Sequence, residues 1–271
     1  MFRLNRALIC VSGADRVGFL DNLLTQNVEG LHGVRYGALL SPQGKVIADM
    51  AIWANDGTIV LETDVELGRE LVRRLLLYKL RANVAIEPSE DLQVLFSEHP
   101  FEGADADPRM PSGAIGYRKL GPRDDALQLS EGEIAYDRLA GIAGVPDLAK
   151  NTRPEEVFAG EALLEELHGV DFQKGCFIGQ ENVSRMKRRA TTRRKLCRIA
   201  FAGEPINYDT PICVGEAELG SVRATKHGGG FALVRLDRAL EAQQRGEKLM
   251  AGEREIRLDP PDWLILPQGG A

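Results

Sequence analysis

Hydrophobic residues in the first half of the chain follow two spacings, one typical of strands and one typical of a helix. Leucines at positions 67, 71 and 75, followed by Tyr78, recur at helical spacing after Asp64, which is a candidate N-cap. A shorter apolar face predicts a second helix in ADRVGFLDNLLT. Short apolar runs predict strands in RALICVSG, VRYGALL, KVIADMAIWAND, TIVLE, ANVAIEP and DLQVLFSE, with a Pro-Gln-Gly-Lys turn between the second and third.

The second half of the chain changes its pattern twice. A segment rich in Pro, Gly and Asp near residues 98–113 predicts a loop at the edge of a subdomain, and helices are predicted in EIAYDRLAGIAG and GEALLEELHG. From Lys195 onward, short strands separated by turns predict a small antiparallel barrel with one helical insert at DRALEAQQRG. The pattern therefore predicts an α+β fold with two domains, residues 1–192 and 193–271, and a boundary between 190 and 196.

The charge of the chain is unevenly distributed. Its net charge is -6, yet eight of its 34 Lys and Arg residues and no Asp or Glu lie between Arg185 and Arg198. The acidic remainder argues against general nucleic-acid binding, and few aromatic residues interleave with the basic run. This run is either a solvated face or a strip for phosphate or carboxylate groups. No apolar run approaches the roughly 20 residues that span a bilayer, so no membrane contact is expected.

Cys176 is the candidate for reactive chemistry among the four cysteines. No two cysteines have CxxC spacing, so neither a zinc knuckle nor another metal site is expected, and four cysteines in 271 residues favour a reducing, cytoplasmic setting. Lys174 lies two residues before Cys176, and a helix can begin near Gln180, a combination that can lower a thiol pKa. The other interpretation is a small, half-buried residue with no reactivity.

Five segments together resemble a known family. KGCFIGQE at residues 174–181 resembles the K-G-C-[FY]-x-G-Q-E signature of the YgfZ family of folate-binding proteins, which includes mitochondrial assembly factors for iron–sulfur proteins. The same order of motifs is matched by VSGADRVGFLDNLLTQNVEGL, YGALLSPQGKVIAD, DPRMPSGAIGYR and YDRLAGIAGVPDL. The resemblance covers most of the chain, although the last 75 or so residues match weakly.

The resemblance implies a fold, a ligand and a role. The family is similar in fold to the T-protein of glycine cleavage, which implies two interlocked α/β subdomains and a C-terminal β-barrel around a folate cavity. Tetrahydrofolate or a derivative would be the ligand, and iron–sulfur assembly or client proteins would be the partners. Cys176 would be the key residue, as a nucleophile or as a transient cluster ligand, and it would stand with Lys174 at the cavity wall.

The chemistry of folate selects the other candidate residues. Its pterin edge carries adjacent N–H donors, for which Asp49, Gln180 and Glu181 are candidate partners. Its glutamate tail would suit Arg109, Arg118 and the basic residues at 185–194. The G-Y-T-G-E segment of T-proteins is absent, because the corresponding region reads GAIGYRKLG. This absence argues against aminomethyltransferase chemistry. Two alternatives stay open at this stage, a folate-dependent one-carbon transferase and an accessory protein of RNA modification that uses the basic run.

Overall fold

The computed structural model describes residues 1–124, 130, 132–189 and 192–267 of the chain. Its helices are α1 Arg16–Asp21, α2 Val65–Lys79, α3 Glu133–Ala143, α4 Leu148–Asn151, α5 Gln180–Arg189 and α6 Leu236–Gln244. The strands of the predicted first domain, residues 1–192, are β1 Phe2–Leu4, β2 Arg6–Ser12, β3 Val34–Leu40, β4 Val46–Asn55, β5 Thr58–Asp64, β6 Ala85–Pro88, β7 Leu92–Ser97, β8 Asp105–Ala106 and β9 Tyr117–Pro122. Those of the second are β10 Arg194–Phe201, β11 Pro211–Val214, β12 Ala217–Lys226, β13 Gly229–Arg235, β14 Leu249–Ala251 and β15 Arg254–Leu258.

Two antiparallel sheets and a barrel make up this architecture. The first sheet has the order β3-β4-β5-β2-β6, and the second has the order β1-β7-β9-β8. The remaining strands close into a six-stranded barrel in the order β10-β13-β12-β11-β14-β15. The predicted Pro-Gln-Gly-Lys turn connects β3 to β4. His227 and Gly228 form the turn between β12 and β13, and Gly229 and Gly230 begin β13.

The first sheet lies at the centre of the first domain because both of its faces are apolar. Alternate residues of a strand point to opposite faces. Ile52 therefore packs on the helical side with Leu71 and Leu75 of α2, whereas Trp53 packs on the other side against Phe96 of the second sheet. Helix α2 begins where the sequence predicts, because the Asp64 side chain accepts a 2.9 Å hydrogen bond from the backbone N–H of Glu66.

The barrel begins at Arg194, close to the predicted boundary, although residues 190 and 191 lie outside the described part of the chain, as do residues 268–271. Its core is continuous with that of the segment before it: Leu196 and Ile199 belong to the same buried cluster as Leu164 and Leu167. The division into residues 1–192 and 193–271 therefore stays a prediction. None of the described helices is long and apolar enough to cross a bilayer.

One predicted helix is wrong. GEALLEELHG at residues 160–169 forms consecutive turns, and both Leu163 and His168 have positive φ angles, 63° and 59°. The leucines of this segment are nevertheless buried, Leu164 and Leu167 fully. Their spacing looked helical because the segment turns repeatedly toward one core, and tertiary packing overrides local helical propensity. Strand β14 was not predicted, and α1 is shorter than its apolar pattern suggested.

Candidate functional site

The loop that carries Cys176 is anchored by the side chain before it. The ammonium of Lys174 donates hydrogen bonds to the backbone carbonyls of Asp21, Leu24 and Gln26 at 2.6, 2.9 and 2.9 Å. It also lies 3.1 Å from the Asp21 carboxylate, and only 1% of the Lys174 side chain is exposed. Burial lowers the pKa of Lys174, and the hydrogen bond and charge of Asp21 oppose this shift. Lys174 thus holds the loop, while the Cys176 side chain is exposed.

A second anchor lies just after the cysteine. Gly179 has a φ of 81°, and a Cβ atom there would lie 2.6 Å from the carbonyl oxygen of Ser41 and 2.9 Å from the Cα of Gly44. Only glycine allows this approach to the Pro-Gln-Gly-Lys turn. Asn182 continues the contact by donating a 2.8 Å hydrogen bond to the carbonyl of Gln43. The KGCFIGQE segment is therefore fastened at both ends to the first domain, which fixes the place of the thiol.

Helix α5 presents a cationic face beside this loop. Arg185, Arg188 and Arg189 are exposed, and of this helix only Val183 is buried. Lys187 lies 3.4 Å from the ring centroid of Phe172 and pairs with Glu165 at 2.8 Å. The basic run thus continues away from the cysteine as a solvated helix, up to Arg189, and residues 190 and 191 in the middle of the run lie outside the described part.

Two of the predicted tail-binding arginines are occupied within the protein. We call the cluster of Glu62, Asp107, Arg109, Arg118 and Tyr136 the buried charge network. Arg118 bridges the carboxylates of Glu62 and Asp107 at 2.7 and 2.6 Å. Arg109 lies 3.2 Å from Asp107, and the Tyr136 hydroxyl donates to Asp107 at 2.9 Å. All five residues are at least nine-tenths buried.

Electrostatics keep this network ionised. Burial alone would raise the pKa of Asp107, but the charges of Arg109 and Arg118 and the hydrogen bonds from Arg109 outweigh burial and hold that pKa well below its ordinary value. Burial raises the pKa of Tyr136 to about 12, because it outweighs the opposing charges of the two arginines. The hydroxyl is therefore neutral and serves as a hydrogen-bond donor to Asp107.

Asp49 lies beside the network and lines a small cavity with it. The hydroxyl of Tyr36 donates a 2.8 Å hydrogen bond to Asp49, and burial raises the pKa of Asp49 against the opposing charge of Arg109. The cavity holds about 50 Å³. Sites for organic ligands usually hold roughly 300–1,000 Å³. The residues around Asp49 therefore do not fit a folate in this arrangement, and Arg109 and Arg118, two of the candidates for its tail, are already paired.

The structure divides the predicted site residues into two places. It brings Asp49, Arg109 and Arg118 together at the small cavity. It places Lys174, Cys176, Gln180 and Glu181 in and after the anchored loop, and none of these four lines that cavity. Gln180 donates to the carbonyl of Gly175 at 3.3 Å, and Glu181 is exposed. The assignment of these seven residues to one folate site stays a prediction.

Sequence reasoning missed the partners that fill the first of these places. The sequence pattern places Glu62 in a predicted strand, Tyr136 in a predicted helix and Asp107 in a motif, and it does not indicate that the three side chains meet. The available signal was the acidic residue within the apolar run TIVLE, because a buried carboxylate needs a cationic partner. Among the described residues, no three His, Cys, Asp or Glu side chains are grouped as metal ligands.

Comparison with known domains and structures agrees with this architecture. Residues 193–265 match the family model of the CAF17 C-terminal beta-barrel domain. The crystal structure of the glycine cleavage system aminomethyltransferase T from Bartonella henselae superposes with a TM-score of 0.70, at 13% identity, and covers 97% of this chain and 85% of that one. The predicted fold class, T-protein-like with a C-terminal antiparallel barrel, is confirmed.

The chain is also similar to curated proteins named iron-sulfur cluster assembly factor IBA57. It is 29% identical to the mitochondrial homolog of Pyricularia oryzae, across 94% of this chain and 77% of that protein. The mitochondrial factor of Mus musculus is 28% identical, with 86% and 77% covered. The Neurospora crassa homolog is 26% identical, with 73% of this chain covered, and the chain spans only about half, 53%, of that longer relative.

These relatives correct one prediction and limit another. A cytoplasmic location was expected from the cysteine content, but the relatives are named as mitochondrial, so that prediction is wrong. Free cysteines indicate a reducing environment and do not distinguish one such compartment from another. The chain's relatives are iron–sulfur cluster assembly factors, as the motifs implied, whereas the specific resemblance to YgfZ stays a prediction.

Proposed function

We propose that this protein supports the maturation or repair of iron–sulfur proteins, and that Cys176 is the residue that meets the cluster or the client. The observation that carries this proposal is an exposed thiol on a loop fastened by Lys174 before it and Gly179 after it. Such a loop presents sulfur at a fixed position without covering it. The names of the relatives support the role in iron–sulfur assembly.

A single cysteine side chain limits what the protein can do with a cluster on its own. Iron–sulfur clusters are commonly held by four ligands. The described residues offer no group of three or more potential ligands, so Cys176 would supply one ligand and a partner would supply the rest. The partner is therefore an iron–sulfur assembly or client protein, and the cluster is cargo. The same exposed cysteine could instead act as a nucleophile, since both roles use the sulfur atom.

A complementation assay tests the proposal. The wild-type chain is expressed in a host that lacks its own homologous factor, and the activities of iron–sulfur enzymes are measured in extracts. We expect Cys176→Ser to lose most of the rescued activity. Cys213→Ser is the matched control, because this half-buried thiol lies on barrel strand β11, and it should rescue as the wild type does.

Two results would contradict the proposal in different ways. Failure of the wild-type chain to rescue any iron–sulfur enzyme, at normal protein levels, would reject the proposed role. Full rescue by Cys176→Ser would leave the proposed role intact and reject the assignment of that role to Cys176. Lys174→Met distinguishes the placement of the Cys176 thiol from its reactivity, because it retains the thiol but removes the donor of three hydrogen bonds to backbone carbonyls. We expect this variant to give partial rescue and faster proteolysis of the loop.

Folate is the second part of the proposal, following the resemblance of the motifs. The cavity at Asp49 is too small for this ligand, and its arginines are committed to Asp107 and Glu62. We therefore assign no reaction step to folate.

A further inference from the structure

The structure divides the basic run between Arg185 and Arg198 into two groups. Four of its eight cations form ion pairs with carboxylates of the chain: Lys187 with Glu165, Arg194 with Glu161, Lys195 with Glu166 and Arg198 with Asp259. Three others, Arg185, Arg188 and Arg189, are exposed on helix α5, and no carboxylate of the described part of the chain forms an ion pair with them. We call these three residues the arginine face.

The arginine face points away from the body of the protein. Successive residues of an α-helix are about 100° apart around its axis, so the three arginines lie within an arc of about 100°, opposite Val183. Val183 is the buried residue of α5. Arg185 donates a 2.6 Å hydrogen bond to Oδ1 of Asn182, and Arg188 donates a 3.4 Å hydrogen bond to the carbonyl of Ser184. Because a guanidinium has five N–H groups, most of these donors are available to a partner.

Helix stability alone does not account for three cations on one face. The helix macrodipole favours cations in the last turn, where Arg188 and Arg189 lie, but Arg185 lies before that turn. Like charges three and four positions apart on a helix repel each other. Glu181 is exposed on the same side and offsets one of the three charges. The remaining positive charge on this face is therefore available for anions from outside the chain.

The arginine face lies close enough to the exposed Cys176 for one partner to contact both. Helix α5 begins at Gln180, four residues after the cysteine, and its ten residues span about 15 Å. A typical protein–protein interface covers roughly 800 Å² of each partner, a patch about 30 Å across. Arginine is suited to this contact because its planar guanidinium holds a carboxylate through two parallel hydrogen bonds.

We propose that the arginine face docks a carboxylate-rich surface of the iron–sulfur protein that meets Cys176. This inference rests on the proposed function, because it specifies the surface chemistry of the partner of the same cysteine. A protein fits better than a nucleic acid. The chain has a net charge of -6, which repels a long polyanion, and α5 carries no aromatic residue on which a base would stack.

Thiol–disulfide exchange with synthetic peptides measures docking at this face. The probe peptide carries one cysteine as its mixed disulfide with 5-thio-2-nitrobenzoate, then about five glycines, which cover the 15 Å of the helix, and then four glutamates. The Cys176 thiolate attacks the peptide sulfur, the protein–peptide disulfide forms, and 5-thio-2-nitrobenzoate leaves as a coloured anion. A matched peptide carries four glutamines. The difference in rate between the wild type and Cys176→Ser gives the reaction at this thiol.

We expect the glutamate peptide to react with the wild type about tenfold faster than the glutamine peptide at low ionic strength, and salt should remove this preference. The α5 variant, Arg185→Gln with Arg188→Gln and Arg189→Gln, should bring the ratio of the two rates close to one. The use of a ratio cancels any change in the reactivity of the thiol itself. The control is the barrel variant, which removes the same charge from exposed arginines and should keep most of the preference: Arg238→Gln with Arg245→Gln and Arg257→Gln.

Equal rates of the two peptides with the wild type, or an unchanged preference in the α5 variant, would overturn the proposal. Binding of a 20-nucleotide oligouridine that the α5 variant loses, with no preference between the peptides, would assign the face to nucleic acid and also overturn it. In the complementation assay, the α5 variant should lose most of the rescue and the barrel variant should not. Equal rescue by the wild type and the α5 variant would reject this inference alone, whereas failure of the wild type to rescue would reject the proposed function.

Discussion

The buried charge network offers a sharp test of how the first domain is held together. Asp107 is 1% exposed and is the shared anion of Arg109 and Arg118. Asp107→Asn keeps the size of the side chain and removes its charge. Two buried guanidinium groups are then left with the carboxylate of Glu62, which already pairs with Arg118 at 2.7 Å. Arg109 loses its ionic partner.

The expected cost follows from this uncompensated charge. Removing one partner of a buried ion pair costs about 3–5 kcal/mol, because the remaining charge stays desolvated. For a chain of this size, each kcal/mol lowers Tm by roughly 2–4 °C, so Asp107→Asn should lower it by roughly 10 °C. In either orientation, the NH2 group of the amide also faces an arginine donor where a carboxylate oxygen accepted a hydrogen bond. This clash adds to the loss.

Thermal and urea unfolding, followed by circular dichroism, measure this effect. Glu98→Gln is the control, because Glu98 pairs with Arg138 at the surface, where such pairs contribute about 0.2–1 kcal/mol. The double variant Asp107→Asn with Arg109→Met should recover part of the loss, because it removes the stranded charge as well. A loss below 1 kcal/mol for Asp107→Asn, or no recovery in the double variant, would refute the reasoning.

The pH dependence gives an independent check on the same residue. The folded-state pKa of Asp107 lies well below its unfolded value of about 3.9. Its ionisation therefore stabilises the fold above about pH 4, and this contribution is lost as pH falls toward the folded pKa. The stability gap between the wild type and Asp107→Asn should be constant from pH 7 to about pH 5 and shrink below pH 4. A gap that persists unchanged at pH 3 would contradict the ion-pair explanation.

Two further predictions concern exposed and strained positions. Iodoacetamide at pH 8 should modify the exposed Cys176 in the native protein. Cys197 should react only in denaturant, because it is 1% exposed and burial raises its pKa to about 12. Equal reaction rates of the two cysteines in the native protein would refute this prediction. Leu80→Gly should stabilise the chain by about 1 kcal/mol, because Leu80 ends α2 with a φ of 44° and is 88% exposed. Leu77→Gly, inside the same helix, should instead destabilise by about 1 kcal/mol, and urea midpoints of both variants check the sign.

The local sequence pattern was sufficient to predict the structure of segments whose contacts are close in the sequence. Helix α2 follows from its leucine spacing and the Asp64 cap, and the β3–β4 hairpin follows from its turn. Five of the six barrel strands and α6 were visible as short apolar runs and a helical insert. Local pattern failed at residues 160–169, because buried leucines on successive turns have the same spacing as leucines on a helix.

The two candidate sites differ in how much the sequence revealed. The motif around Cys176 pointed to an important loop, and the structure shows why Lys174 and Gly179 belong to it. The sequence did not indicate that Arg109 and Arg118 are buried ion-pair partners, because arginine is usually an exposed residue. Arg118 of β9 and Glu62 of β5 are 56 positions apart in the chain, and these two charges come together only because the two sheets pack on each other.

The sequence by itself determined most of the longer strands and helices, the α+β class and the motif that contains the exposed cysteine, because these depend on periodicity and on neighbouring residues. The T-protein-like arrangement followed from the resemblance of the motifs. Tertiary structure decided which polar groups are satisfied. It closed the space beside Asp49 with ion pairs, and it left the buried Oδ1 of Asn151 without a hydrogen-bond donor among the described residues, in a groove formed by α3, α4 and the barrel. Burial and pairing are properties of distant segments brought into contact, so no local pattern could distinguish a committed arginine from a free one.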